Sequence, residues 1–175
     1  MADKYCVVRT DLLSGTKQPA DLVSFRFYNG EDKQAEVENG VIVELGEYED
    51  GNREIMKAKA ATAGSDLDKC AIAAAPEVMY DERKKNLDEY ISEAGKAVRG
   101  YIPRTRNTFS LTAEGFVGGA APTKGGKVGI GAGGKLDAAG TGFGECVRIE
   151  KVGRYTYYVI RITKAGATTT PGVGG

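Results

Sequence analysis

Glycine punctuates this chain, and that punctuation limits what it can fold into. Of its 175 residues, 25 are glycine. Between them lie short runs rich in valine, isoleucine, tyrosine and phenylalanine, bounded by turn residues and too brief for helices. Such a pattern favours many short strands joined by tight turns. Apolar residues make up 41% of the chain and charged residues 27%, enough apolar material for a real core despite the glycine.

The runs can be placed one by one. Tyr5-Cys6-Val7-Val8 and Ser24-Phe25-Arg26-Phe27-Tyr28 read as strands, joined by a loop with Gly15 and Pro19. Gln34-Ala35-Glu36-Val37 and Val41-Ile42-Val43-Glu44-Leu45 flank Asn39-Gly40, which predicts a hairpin with a type I′ turn. A turn at Asp50-Gly51-Asn52 leads to a strand over Arg53–Lys59. The unbroken apolar run Cys70-Ala71-Ile72-Ala73-Ala74 predicts a buried strand ended by Pro76. Further strands are expected at Ala97–Ile102, Thr108–Thr112, Lys127–Ile130 and Lys135-Leu136. The strongest pair is the closing hairpin, Glu145–Glu150 and Tyr155–Ile162 around Gly153. Alternation in its second arm turns Tyr158, Ile160 and Ile162 inward and Tyr157 and Arg161 outward.

One helix is expected, within Asp81 to Arg99. Asn86 and Glu89 have capping-box spacing, Leu87 and Ile91 share a face, and Gly95 suits a left-handed end. So short a helix needs its Leu87/Ile91 face packed on a sheet. The fold class is therefore mainly β, α+β with one short helix packed on a sheet, built from small antiparallel barrel or sandwich units. The expected organisation is an N-terminal β-rich unit over 1–80, the helix over 81–95, and a C-terminal antiparallel barrel-like unit over 96–164. A Thr-, Gly- and Pro-rich tail, 165–175, is flexible or ordered by a partner.

The chain carries 24 basic and 24 acidic residues and no histidine. Net neutrality gives no general pull toward nucleic acid or a membrane. Charge is nonetheless segregated. Asn29 to Glu54 holds nine acids against Lys33 and Arg53, whereas Arg99 onward holds eleven Lys or Arg against Glu114, Asp137, Glu145 and Glu150. Two solvated faces, or an acidic surface meeting a basic one on a neighbour, would both account for this. Cys6, Cys70 and Cys146 have neither disulfide-framework nor zinc spacing and read as buried thiols. Met1-Ala2-Asp3-Lys4 has no apolar signal region, which predicts synthesis in a cytosol.

Three motifs suggest chemistry, and each has a plainer reading. Gly129-Ile130-Gly131-Ala132-Gly133-Gly134-Lys135 fits part of a phosphate loop. Leu136 stands where such a loop needs Ser or Thr, and the glycines that follow cannot make its helix, so a glycine-rich β-turn is expected. Arg148, Lys151, Arg154, Tyr155, Tyr157 and Arg161 could stack on single-stranded nucleic acid; cross-strand tyrosine packing explains them as well. The acids of Glu31 to Glu54 lack a calcium-loop pattern and read as solvated strand edges. Without histidine the usual general base and nucleophile pairs are missing. No catalytic, cofactor-binding or metal-ligating residue is indicated, and the expectation is a protein that is not an enzyme.

Several phrases carry a resemblance. These are Ala75-Pro76-Glu77-Val78-Met79-Tyr80-Asp81-Glu82-Arg83-Lys84-Lys85-Asn86-Leu87, Glu93-Ala94-Gly95-Lys96-Ala97-Val98-Arg99-Gly100-Tyr101, Asn107-Thr108-Phe109-Ser110-Leu111-Thr112, and Val152-Gly153-Arg154-Tyr155-Thr156-Tyr157-Tyr158-Val159-Ile160. Over roughly Asn39 to Ile162 the chain resembles proteins from the structural operons of bacteriophages that infect Gram-positive bacteria. The glycine-rich stretch Gly115 to Gly144 and the tail after Thr163 depart from it. The resemblance implies a head decoration, or auxiliary capsid, protein on the virion surface. Its partners would be the major capsid protein and neighbouring copies of itself, with no cofactor and no membrane. Other readings are a tail-tube or connector protein and, further off, a nucleic-acid- or carbohydrate-binding β-module.

Overall fold

The computed structural model describes residues 4–13, 21–78 and 86–163. It is mainly β, as expected, with ten strands: β1 (Leu22–Phe27), β2 (Ile42–Tyr48), β3 (Ile55–Ala60), β4 (Cys70–Ala73), β5 (Val98–Tyr101), β6 (Thr108–Leu111), β7 (Lys127–Ile130), β8 (Leu136–Asp137), β9 (Gly144–Val152) and β10 (Tyr155–Ile162). The helical pieces among the described residues are single 3₁₀ turns.

The first five strands close into a barrel in the order β1-β3-β2-β4-β5, with β5 returning to β1. Strict up-and-down alternation is impossible around a ring with an odd number of members. One pair must run parallel, and it is β1 with β3, Phe25 lying opposite Met56. A five-stranded ring is narrow, so its interior takes few large side chains. Phe25 fills it, fully buried, among Ala58, Ala71, Ala73 and Val98. Gly100 on β5 completes the fit: a β-carbon there would lie 3.0 Å from the Ala71 Cβ and 3.1 Å from the Phe25 ring.

Strands β6 to β10 form a second sheet, ordered β6-β10-β9-β7-β8. The segment Val7–Arg9 extends its edge beside β6, Arg9 N–H donating to the Ser110 carbonyl (3.0 Å) and Thr112 N–H to that of Val7 (3.1 Å). The expected strand at Tyr5–Val8 is thus a short bridge, Val8 to Leu111. Phe109 and Phe143 meet edge to face, 6.1 Å apart, in the core of this sheet.

The barrel has an interior of its own, and its outer wall shares a second core with the sheet. Along β4 the side chains alternate between two interiors: Ala71 and Ala73 face into the barrel, while Cys70 and Ile72 join the cluster with Phe109, Leu111 and Ile160 of the second sheet. The strand, expected to be buried from its unbroken apolar sequence, is buried on both faces. Cys6 seals the junction from one side. A β-carbon on Gly40 would sit 2.7 Å from its Sγ, and one on Gly115 at the same distance. Across the same junction Lys135 Nζ lies 2.6 Å from Glu38 Oε1, while Glu38 Oε2 accepts the Cys6 N–H at 2.9 Å. Gly134 touches β2 so closely that a side chain there would overlap the Ile42 carbonyl oxygen.

Four expectations are corrected. Positions 81–85 lie outside the described residues, and from 86 to 95 there is no α-helix but one 3₁₀ turn, Leu87–Glu89. The capping motif does form, the Glu89 carboxylate accepting Asn86 N–H at 3.1 Å. Propagation stops because Ser92 exchanges both backbone bonds with Val37, at 3.0 Å each. Leu87 is consequently exposed rather than packed on a sheet. Gly95 is left-handed, φ +80°, but in a turn between Glu93 and Lys96.

The Asn39-Gly40 corner does not close a type I′ hairpin; of the two residues only Gly40 has positive φ. Asn39 is buried and uses its side-chain amide as a strand uses its backbone, donating to the Ala75 carbonyl and accepting the Ala75 N–H, both at 2.9 Å. That anchor sends Ile42 and Val43 to pair with β4, leaving Gln34–Val37 without a strand partner there. The closed barrel, moreover, is the N-terminal unit and takes in β5, while the C-terminal unit is the sheet. Lastly, Tyr157 is buried, not outward, because Arg9 covers the back of β10 with its guanidinium 5.6 Å from the ring centre. Ile160 and Ile162 point inward and Arg161 outward as expected.

The junction can be tested with two glycines of similar backbone conformation. Gly40→Ala should lower stability by about 1–3 kcal/mol more than Gly51→Ala, because Gly51 has open space around it and Gly40 meets Cys6. Chemical denaturation of both variants measures the difference.

Candidate interaction surface

The glycine-rich motif over 129–135 is a β-turn between β7 and β8, as the sequence suggested. Gly131 N–H donates to the Lys135 carbonyl at 2.8 Å, and Gly133 and Gly134 supply the positive φ values of 66° and 74°. Its lysine is committed elsewhere, to Glu38 and to the Glu114 carbonyl oxygen at 3.0 Å. The loop fastens the sheet to the barrel.

The Tyr/Arg ribbon is likewise occupied internally. Arg154 Nη2 reaches Asp88 Oδ1 at 2.5 Å and stacks on Tyr155, 4.7 Å from its ring centre. Tyr155 donates its hydroxyl to the same carboxylate oxygen at 3.2 Å. Arg148 pairs with Glu150, and Arg161 with Glu145 at 3.4 Å. These residues do not come together as an open stacking platform. Lys151 is the one of these six residues with no ion pair or ring contact among the described residues. Asp88, buried on its 3₁₀ turn, is the hub of this cluster, and Lys4 also reaches it at 3.8 Å. No sequence motif marks it, since its partners are 66 and 67 residues away.

The acidic segment divides into structural and free groups. Glu49 is buried and bonded to Arg26 and to the Tyr28 hydroxyl, the latter at 2.6 Å, which pins the distal end of the β2–β3 hairpin. Glu31 pairs with Lys33 at 2.8 Å and Asp32 with Lys59 at 2.7 Å. Glu47, Asp50 and Glu54 are exposed around Tyr48, itself 56% exposed, and make no ion pair among the described residues. The pinned hairpin therefore presents an acidic tip with an aromatic at its centre. Exposed cations that make no ion pair among the described residues occur in both halves: Arg53, at the tip itself, Lys57, Lys69 and Arg99 in the barrel half, and Arg106, Lys124, Lys127 and Lys151 in the sheet half. No group of three acidic or cysteine side chains among the described residues could hold a metal ion. No described helix is long and apolar enough to cross a membrane.

The three cysteines are free and buried. Burial pushes the Cys70 thiol up to about 12, helped by the nearby carboxylates of Glu44 and Asp66. Burial also raises Cys6, beside Glu38, and Cys146. An unfolded thiol ionises at about 8.5. Above that pH the unfolded chain releases protons that the folded chain keeps, so this contribution to stability is constant below about 8.5 and falls as pH rises toward 12. Native protein at neutral pH should leave a thiol reagent such as Ellman's unreacted over the time in which the denatured chain reacts with three equivalents.

No protein-family model, curated protein or solved structure matches this chain.

Proposed function

We propose that the protein is a bacteriophage capsid decoration protein, carried on the virion surface, which binds the major capsid protein of the mature, expanded shell and stabilises it. The sequence phrases quoted above suggest the phage context. The observation that carries the reading structurally is the acidic, aromatic-centred hairpin tip on the barrel, Glu47, Asp50 and Glu54 exposed beside Tyr48, on a body whose packed sheet exposes Lys124, Lys127 and Lys151. Exposed charge of both signs on a folded body suits a protein that bridges neighbours in an array. Binding that favours one shell state adds interface free energy to that state alone, and many weak contacts in a symmetric array act together.

Quantitative mass spectrometry of purified particles should find this protein at an abundance comparable to the major capsid protein. A few copies per particle would favour a connector or tail location, and absence would end the virion reading. Co-sedimentation should show binding to expanded shells and not to unexpanded ones. Reversing the acidic tip with Glu47→Lys, Asp50→Lys and Glu54→Lys together should weaken binding about tenfold at low salt, because three exposed pairs at about 0.5 kcal/mol each sum to about 1.5 kcal/mol. Added salt should narrow the gap between variant and parent.

A further inference from the structure

Beyond Cys146, strand β9 has a partner on one side only among the described residues. Up to that point its outer edge is paired with β7 and the turn before it: Glu145 lies opposite Lys127, Cys146 N–H donates to Gly126 at 2.8 Å, and Gly125 N–H to Cys146 at 2.7 Å. From Val147 to Val152 no described residue pairs with that edge, while β10 runs along the other side throughout. The unpartnered stretch carries Ile149, 43% exposed, and Val152, 45% exposed. A bare edge of this kind is a template for another strand.

The hairpin turn fixes which backbone groups the edge offers. Val152 and Tyr155 flank a two-residue turn, Gly153-Arg154, in which Gly153 has φ +59°. In such a turn the flanking pair is hydrogen-bonded. Bonded and non-bonded pairs then alternate along an antiparallel ladder. Glu150, opposite Tyr157, faces inward, whereas Ile149 and Lys151, opposite Tyr158 and Thr156, turn their N–H and C=O groups to the outer edge.

An antiparallel partner must match outward residues with outward residues. When the partner is the same strand from a second copy, this rule leaves few registers, and charge separates them. Centring on Arg148, Glu150 or Lys151 sets that residue against its own copy, like charge on like charge. Centring on Ile149 sets Ile149 against Ile149 and places Arg148 opposite Glu150 twice. Arg148 and Glu150 already share a face, as their intrachain ion pair requires. The four charges would therefore alternate in sign across the axis.

We propose that two copies of this chain associate through the outer edges of β9, antiparallel about a two-fold axis at Ile149, and so join two hairpins into a continuous four-stranded ribbon. The inference does not depend on the capsid reading and is tested on the isolated full chain. Sedimentation velocity across a concentration series should show a monomer–dimer equilibrium. Arg148→Glu and Glu150→Arg should each weaken it at least fivefold, because each brings like charges together. Mixed in equal amounts, these two variants should form a heterodimer at least as tight as the parent homodimer. The double variant Arg148→Glu/Glu150→Arg, which keeps the intrachain pair, should dimerise like the parent. Ile149→Pro removes an outward N–H without breaking a β9–β10 bond, so it should abolish dimers and leave the far-ultraviolet circular dichroism unchanged. A parent that stays monomeric up to about 1 mM, or a dimer that survives Arg148→Glu and gains nothing on mixing, would overturn the proposal.

Discussion

The two-sided burial of β4 is the constraint on which the rest of the molecule depends. Its four residues belong to two interiors at once, alanines to the barrel and Cys70 with Ile72 to the sheet. A polar side chain on either face would be driven into a dry core without a partner. Because the strand serves both units, neither can be removed without exposing one side of it. The small residues of β4 and Gly100 of β5 make room in the narrow five-stranded ring for Phe25, which packs there with Val43 and Val98.

Around that shared strand the chain is held by contacts that leave no space. Gly40 and Gly115 meet the Cys6 sulfur, and Gly134 meets the backbone of β2. Polar bonds reinforce the same junction: Glu38 joins Lys135 to the Cys6 backbone, and Asn39 ties its corner to Ala75. Each of these polar groups is buried or half-buried and satisfied, the condition under which such groups specify a unique arrangement instead of weakening it. The acidic hairpin tip stands on the barrel, and the exposed Lys124, Lys127 and Lys151 and the edge of β9 on the sheet packed against it.

Much of the fold was legible because strand signals are local. The apolar run of β4, the hairpin around Gly153 and the outward Arg161 all follow from alternation and turn chemistry within a few residues. The helix expectation failed for an instructive reason. Asn86 and Glu89 do form the cap, but capping contributes too little to carry a short helix once Ser92 has a strand partner in Val37. Asn39-Gly40 misled in the same way: the dipeptide makes a corner, but burial of the asparagine amide selects which strands meet there. The candidate surface was only partly visible. An excess of acid between Asn29 and Glu54 could be counted, yet nothing local separates Glu49, which is structural, from Glu47, which is free.

What the amino-acid sequence determined by itself is the mainly-β class, the position of most strands, the closing hairpin and the burial of β4. These depend on backbone preference and hydrophobic period, which act over neighbouring residues. Only the tertiary structure decided the parallel pairing of β1 with β3, the fusion of barrel and sheet, the burial of Tyr157 beneath Arg9, and which charges remain for a partner. Those outcomes follow from closing an odd ring and covering both faces of shared strands. They are properties of residues far apart in the chain, and no local pattern encodes them.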